Sequence, residues 1–305
     1  MNRPSHQPPR IARANGIDIC YEIFGDAVAE PLLLIMGLGG QMIQWDDAFC
    51  EQLAARGFRV IRFDNRDIGQ SSKMTGGKRL TALELLRLRL FRIPVSAPYR
   101  LIDMARDTVG LMDALDIRSA HLVGMSMGGM IAQEIAISFP QRVRSLTSIM
   151  SSTGNPRIPP PSREASAMLM APPPTTKAEY LVRYANTWKM LRAGSFPDDE
   201  ARDAERAERT YERGLNPVGV GRQLRAVLAS GSRKARLHSV TAPTLVIHGT
   251  ADPLVHPLAG KDTAASIPGA KLLMIEGMGH ALPIRFWPQI IDAIEKHAHR
   301  AAREV

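Results

Sequence analysis

Cysteine is scarce, with Cys20 and Cys50 the two such residues in 305. Neither lies in a C-x-x-C or a Cys/His cluster, so a disulfide framework and a metal site are not expected. Both thiols read as reduced and buried. Long apolar runs are missing too. The strongest, LLLIM (32–36), falls far short of the ~20 residues that a membrane-spanning helix requires, so no stable membrane insertion is expected. The opening MNRPSHQPPRIARANG carries charge and prolines but no apolar stretch, which argues against a secretory signal and for a cytoplasmic protein. A clustered basic patch is also absent. The excess of 39 Lys+Arg over 30 Asp+Glu gives a formal charge of +9, yet the bases are interleaved with acids, as in DDEARDAERAERTYER (198–213). That pattern reads as a solubilising surface, and no nucleic-acid partner is expected.

What is present suits a globular enzyme: 45% hydrophobic and 23% charged residues allow a sizeable core. IDICYEIF (17–24) alternates apolar and polar residues, as a half-buried hairpin strand does. PLLLIM (31–36), FRVIRFD (58–64), HLVGM (121–125), SLTSIM (145–150), TLVIHG (244–249) and KLLMIEG (271–277) are short apolar runs that read as strands. Helical stretches separate them, around Trp45–Ala55, from about Leu101 to Leu115, over MGGMIAQEIAISF (127–139) and from about Trp287. Strands alternating with helices imply an α/β fold, a mostly parallel sheet covered on both faces. The alternation breaks between 151 and 235, where proline clusters bracket charged, helix-like sequence without a strand run. Residues 1–150 and 236–305 are therefore expected to form the core, and 151–235 a helical cap (lid) insertion. LELLRLRLFRI (83–93) is basic and amphipathic, suited to packing on that cap or to an anionic interface.

The chemistry concentrates at Gly124-Met125-Ser126-Met127-Gly128. A G-x-S-x-G between a short apolar strand and a small-residue helix is the setting of a nucleophile elbow, with the hydroxyl raised above the carboxyl edge of the sheet. Serine needs a base. Of eight histidines, His280 in GMGHALP follows the last strand at that same edge. His121 and His238 fall at the opposite edge, His6, His297 and His299 read as exposed, and His248 and His256 as structural. Asp252 in HGTADPLV lies on a loop at the right edge to hold the imidazole tautomer. The order Ser126, Asp252, His280 is one of the known triad orders. Backbone N–H groups of Met127 and of Leu38 in the glycine turn after LLLIM are the expected oxyanion donors. The same turn fails as a dinucleotide loop, because Met42 stands where glycine is needed. Met36 and Met125 near the elbow, and Trp188 on one helix face with Tyr184, are candidate lining of an adaptable substrate pocket.

The set IMGLGGQ, FDNRDIGQS, GMSMGGM, HGTADPLV and GMGHALP resembles the esterase and lipase branch of the α/β-hydrolase superfamily. It is similar in particular to aclacinomycin methylesterase-like and related bacterial carboxylesterases. The resemblance implies an eight-stranded sheet with the cap inserted after the sixth strand. Many relatives carry His-Gly at the oxyanion turn where this chain has Met36-Gly37. The expected activity is hydrolysis of small-molecule carboxylic esters through an acyl-enzyme, with no cofactor. A lactonase or a cofactor-free perhydrolase would use the same triad. A non-catalytic ligand receptor is the reading from another class, although such scaffolds usually show a broken triad. The oligomeric state is not legible.

Overall fold

The computed structural model describes residues 5–77, 80–91, 93, 95–194 and 196–303. The chain opens with a hairpin, β1 (His6–Ala14) and β2 (Ile17–Phe24). Asn15 and Gly16 make its turn, both at positive φ (46° and 78°), as the twist of a two-residue hairpin loop demands. β1 extends the hairpin back into the charged, proline-containing opening segment. Its mostly exposed residues and its register shift between Gln7 and Arg10, at Pro8 and Pro9, mark an edge strand, where missing N–H donors are tolerated.

The alternation then runs β3 (Glu30–Ile35), α1 (Asp47–Ala55), β4 (Phe58–Phe63), α2 (Ala82–Phe91), α3 (Leu101–Ala114), β5 (Ala120–Met125), α4 (Met127–Ser138) and β6 (Val143–Ile149). Four consecutive helices follow: α5 (Arg163–Met170), α6 (Lys177–Arg192), α7 (Pro197–Glu212) and α8 (Pro217–Ser230). β7 (Thr244–Gly249), α9 (Leu258–Ser266), β8 (Lys271–Ile275) and α10 (Trp287–Arg303) complete the chain. The eight strands form one sheet in the order β1-β2-β4-β3-β5-β6-β7-β8, with β2 antiparallel to both neighbours and every later pairing parallel. This is the α/β-hydrolase architecture.

Alternate residues of one strand serve opposite faces. Leu33 and Ile35 of β3 join Met104, Met112, Ile131 and Ile135 from α3 and α4 on one side. Leu32 and Leu34 join Phe49, Leu53, Ile290 and Ile294 from α1 and α10 on the other. A strand buried on both faces has no polar side to show, which is why PLLLIM reads as a continuous apolar run.

Where β5 meets α4 the packing leaves no room for side chains. A Cβ on Gly124 would lie 2.3 Å from the Gly128 carbonyl oxygen, and one on Gly128 would lie 2.0 Å from that of Ile35. Both glycines of the G-x-S-x-G are thus fixed by close backbone approach.

Candidate active site

Ser126 sits between β5 and α4 with φ 55° and ψ −119°, a conformation costing ~1–3 kcal/mol for a residue with a side chain. Neighbours hold it there. Its N–H donates to the Ile149 carbonyl (2.9 Å), and its own carbonyl accepts from the Ser151 hydroxyl (2.7 Å). Ser151, the second residue after β6 and outside the candidate set, thus braces the elbow.

Asp252 and His280 come together across the β7 and β8 loops. His280 Nδ1 lies 2.7 Å from Asp252 Oδ2, with the carboxylate wholly buried. The other oxygen, Oδ1, accepts the Leu254 and Val255 N–H groups, each at 2.8 Å. Burial by itself would raise this carboxyl's pKa, but the His280 charge and the hydrogen bonds from His248 and His280 outweigh it and hold Asp252 well below the usual range. Asp252 is therefore an anion across the working pH range. His248 bonds through Nε2 to the Val255 carbonyl (2.8 Å) and stands 3.4 Å from Asp252 Oδ2, supporting the acid loop from below. No hydrogen bond joins the Ser126 hydroxyl to His280 in this structure; such contacts commonly tighten only once substrate is bound.

Leu38 lies in the turn after β3. Gly37 packs so closely on the elbow that a Cβ there would be 3.1 Å from Ser126 Cβ. Gly39, at φ 69°, and the Gly40 N–H to Gly37 carbonyl bond (3.3 Å) close the turn. Neither the Leu38 nor the Met127 N–H is used by the hydrogen bonds of the turns and loops. Two residues that sequence reasoning passed over flank Leu38. Asn65 donates to the Met36 carbonyl (2.9 Å), and Gln223 of α8 accepts from the Gly39 N–H (2.9 Å). Asn65 lies in FDNRDIGQS, a motif visible in the sequence but without a role attached.

Trp188 of α6 and Met125 meet at a small cavity of about 30 Å³, bounded also by Gln44, Trp45, Ala281 and Trp287. Tyr184, one turn earlier, is buried and bonds through its hydroxyl to Gln44. Met36 lies beneath Gly40 in the core and lines neither this cavity nor the larger groove, about 740 Å³, between α5 and α6. Both cysteines are buried. Burial pushes the Cys20 thiol up to about 11 and Cys50 up to about 12, so neither supplies a thiolate near neutrality. Among the described residues, no group of three or more His, Cys, Asp or Glu could hold a metal ion, and no helix is long and apolar enough to cross a membrane.

The four helices after β6 meet the loops at the carboxyl edge. The His280 N–H donates to the Leu191 carbonyl at the end of α6 (2.6 Å), and the Ser162 N–H donates to the carbonyl of Pro253, next to Asp252 (2.8 Å). α7 is fastened by a ladder of arginines at i, i+4, i+7 and i+11. Arg202 and Arg206 reach Asp46, Arg209 reaches Asp47, and Arg213 reaches Asp64, at 2.6 to 3.2 Å. The interleaved stretch that reads as a solubilising surface is thus an interface on its basic stripe. α2 joins the same region through the Glu84–Arg225 ion pair, with Leu83, Leu86, Leu90 and Phe91 exposed.

A matching family model, described as the alpha/beta hydrolase fold, spans residues 30–285. The chain belongs to the α/β-hydrolase family. It is 32% identical to rhodomycin D methylesterase DauP of Streptomyces sp. (strain C5), an alignment covering 96% of this chain and 99% of that one. It superposes on a hydrolase from Pseudomonas aeruginosa with a TM-score of 0.68 at 26% identity, covering 96% and 97% of the two chains. An enol-lactonase from Burkholderia xenovorans shares the fold, with a TM-score of 0.66 at 22% identity over 96% and 100%.

The α/β-hydrolase chain holds a second Ser–His–carboxylate set, at the amino edge of the sheet. His121 Nδ1 lies 2.8 Å from Ser145 Oγ, and His121 Nε2 lies 3.5 Å from Glu30 Oε2. Ser145 is buried in regular strand, with no elbow to expose it, so this set has no access to substrate. His297, which reads as exposed, is in fact buried, with Nε2 3.1 Å from the Pro243 carbonyl oxygen. The helical stripe of α10 that faces the sheet includes it.

Burial pushes the pKa of His121 down to about 4, against the upward pull of Glu30. Between pH 6.5 and 4 the unfolded chain therefore binds a proton that the folded chain refuses. Unfolding free energy should fall as pH drops through that window, by ~3 kcal/mol in all. His121→Asn cannot take that proton and should lose less stability on acidification. Urea midpoints of both proteins at pH 7 and pH 4.5 provide the check, and equal drops would reject the assignment.

Proposed function

We propose that this α/β hydrolase is a serine ester hydrolase that works through an acyl-enzyme. The observation that carries the reading is the 2.7 Å bond between His280 Nδ1 and buried Asp252, at the same edge of the sheet as a serine in strained elbow geometry. Ser126 Oγ attacks the ester carbonyl while His280 Nε2 takes its proton. The Leu38 and Met127 N–H groups stabilise the oxyanion, each donor worth ~3–4 kcal/mol of barrier. Collapse expels the alcohol, protonated by His280, and water then attacks the acyl-enzyme by the same route.

Residues 151–235 act in this reading as a cap over the site, and Trp188 and Met125 shape the acyl pocket. The likeness to rhodomycin D methylesterase favours a methyl ester as substrate. The test is turnover of p-nitrophenyl esters of increasing chain length, aromatic methyl esters and lactones, with a fluorophosphonate probe mapped by mass spectrometry. Probe on Ser126 and ester turnover support the proposal. Labelling elsewhere, or turnover of lactones alone, would remove the ester assignment.

A further inference from the structure

The oxyanion turn is held from the cap as well as from the core. Gln223 belongs to α8 and is completely buried. Its side-chain oxygen accepts the Gly39 N–H and its amide donates to the Arg66 carbonyl, both at 2.9 Å. The amide orientation is forced, because a backbone N–H can only donate and a carbonyl can only accept. Arg66 is itself clamped by its guanidinium on Asp107 of α3, at 2.5 and 2.6 Å. At the other end of the turn, Asn65 grips the Met36 carbonyl. Leu38 is thus bracketed by side-chain bonds on both sides; the Gly40 N–H to Gly37 carbonyl bond closes the turn, and the methyl groups of Val220, also from α8, leave little room for a side chain at Gly39.

We propose that Gln223 is a positioning residue for catalysis: from the cap, it fixes the oxyanion turn so that the Leu38 N–H points at the developing charge. The proposal rests on the oxyanion reading above. Its physical basis is that a donor helps only if already aimed when the charge forms. A left-handed glycine next to that donor would otherwise let the turn relax. The Leu191 carbonyl, bonded to the His280 N–H, gives the cap a second hold on the machinery. Seating the cap and assembling the site are then one event.

Gln223→Met removes both hydrogen bonds while keeping length and bulk. With active enzyme counted by fluorophosphonate titration of Ser126, kcat should fall ~10- to 100-fold with KM within about twofold, since one donor is misaimed rather than lost. The affinity of a trifluoromethyl ketone, which forms an oxyanion on Ser126, should weaken by the same factor. Gln223→Glu keeps the acceptor for Gly39 and loses the donor to Arg66; it should fall between the two, and it carries the test if Gln223→Met does not fold. Wild-type kcat per titrated site and undiminished ketone affinity, with only a lower Tm, would overturn the proposal and leave the ester-hydrolase reading standing. A wild-type enzyme that the fluorophosphonate does not label at Ser126 would instead remove both.

Discussion

Ser126→Ala is expected to lower kcat on every active ester by ~10³-fold or more, while the far-UV spectrum and Tm stay at or above wild type. The loss follows from the proposed mechanism, in which no acyl-enzyme forms without the hydroxyl and the remaining catalysis comes from binding and the backbone donors alone. The stability expectation follows from geometry. Ser126 holds φ 55° because Ile149 and Ser151 bond its backbone, and those bonds do not involve its hydroxyl. Alanine carries the same backbone strain and makes the same backbone bonds. Steady-state kinetics beside a thermal melt provide the measurement. A variant within tenfold of wild type on any ester would show that another nucleophile does the work.

The fold was legible because its strands are buried on both faces and its turns use glycine where backbones touch. Such positions leave strong local marks: LLLIM, Gly124 and Gly128 can each be read without knowing their neighbours. The three triad candidates were legible for a related reason. Each follows a strand at one edge of a parallel sheet, so sequence order alone brings Ser126, Asp252 and His280 to the same side. What was not legible acts across the interface between the four inserted helices and the core. Gln223 is an ordinary polar residue in a helix, and only its partners, the Gly39 N–H and the Arg66 carbonyl, give it a role.

The arginine ladder is an intermediate case. The spacing of Arg202, Arg206, Arg209 and Arg213 marks one helix face, but the intervening acids disguise it as a solvated surface. Its target is scattered through the sequence, at Asp46, Asp47 and Asp64. At Asp64 the carboxylate oxygens accept the Met42 N–H (2.7 Å) and the Gln70 N–H (2.9 Å) besides Arg213. Two of these bonds hold the loops after β3 and β4, and the third fastens the end of α7. His297 reads as exposed with His299 because both lie in the closing helix, whereas residues two apart on a helix point to different sides, and His297 is buried.

Asp252→Asn is expected to cost more in kcat than its near-isosteric shape suggests, ~10⁴-fold with KM little changed. The reason lies in the oxygen that His280 does not touch. Oδ1 accepts two backbone N–H groups, from Leu254 and Val255. In the variant this position must stay an oxygen, because an amide NH₂ would face two donors. The NH₂ is therefore forced into the Oδ2 position, opposite His280 Nδ1. That nitrogen must then accept, which moves the imidazole proton to Nε2, the atom that in the proposed mechanism takes the proton from Ser126. The same NH₂ would lie near His248 Nε2, which bonds the Val255 carbonyl as a donor, so a fall in Tm should accompany the kinetic loss. The ¹⁵N shifts of His280 report the tautomer directly: Nδ1 protonated in the wild type, Nε2 protonated in Asp252→Asn. If the variant kept kcat within tenfold, or His280 kept its proton on Nδ1, Asp252 would not be the residue that orients the base.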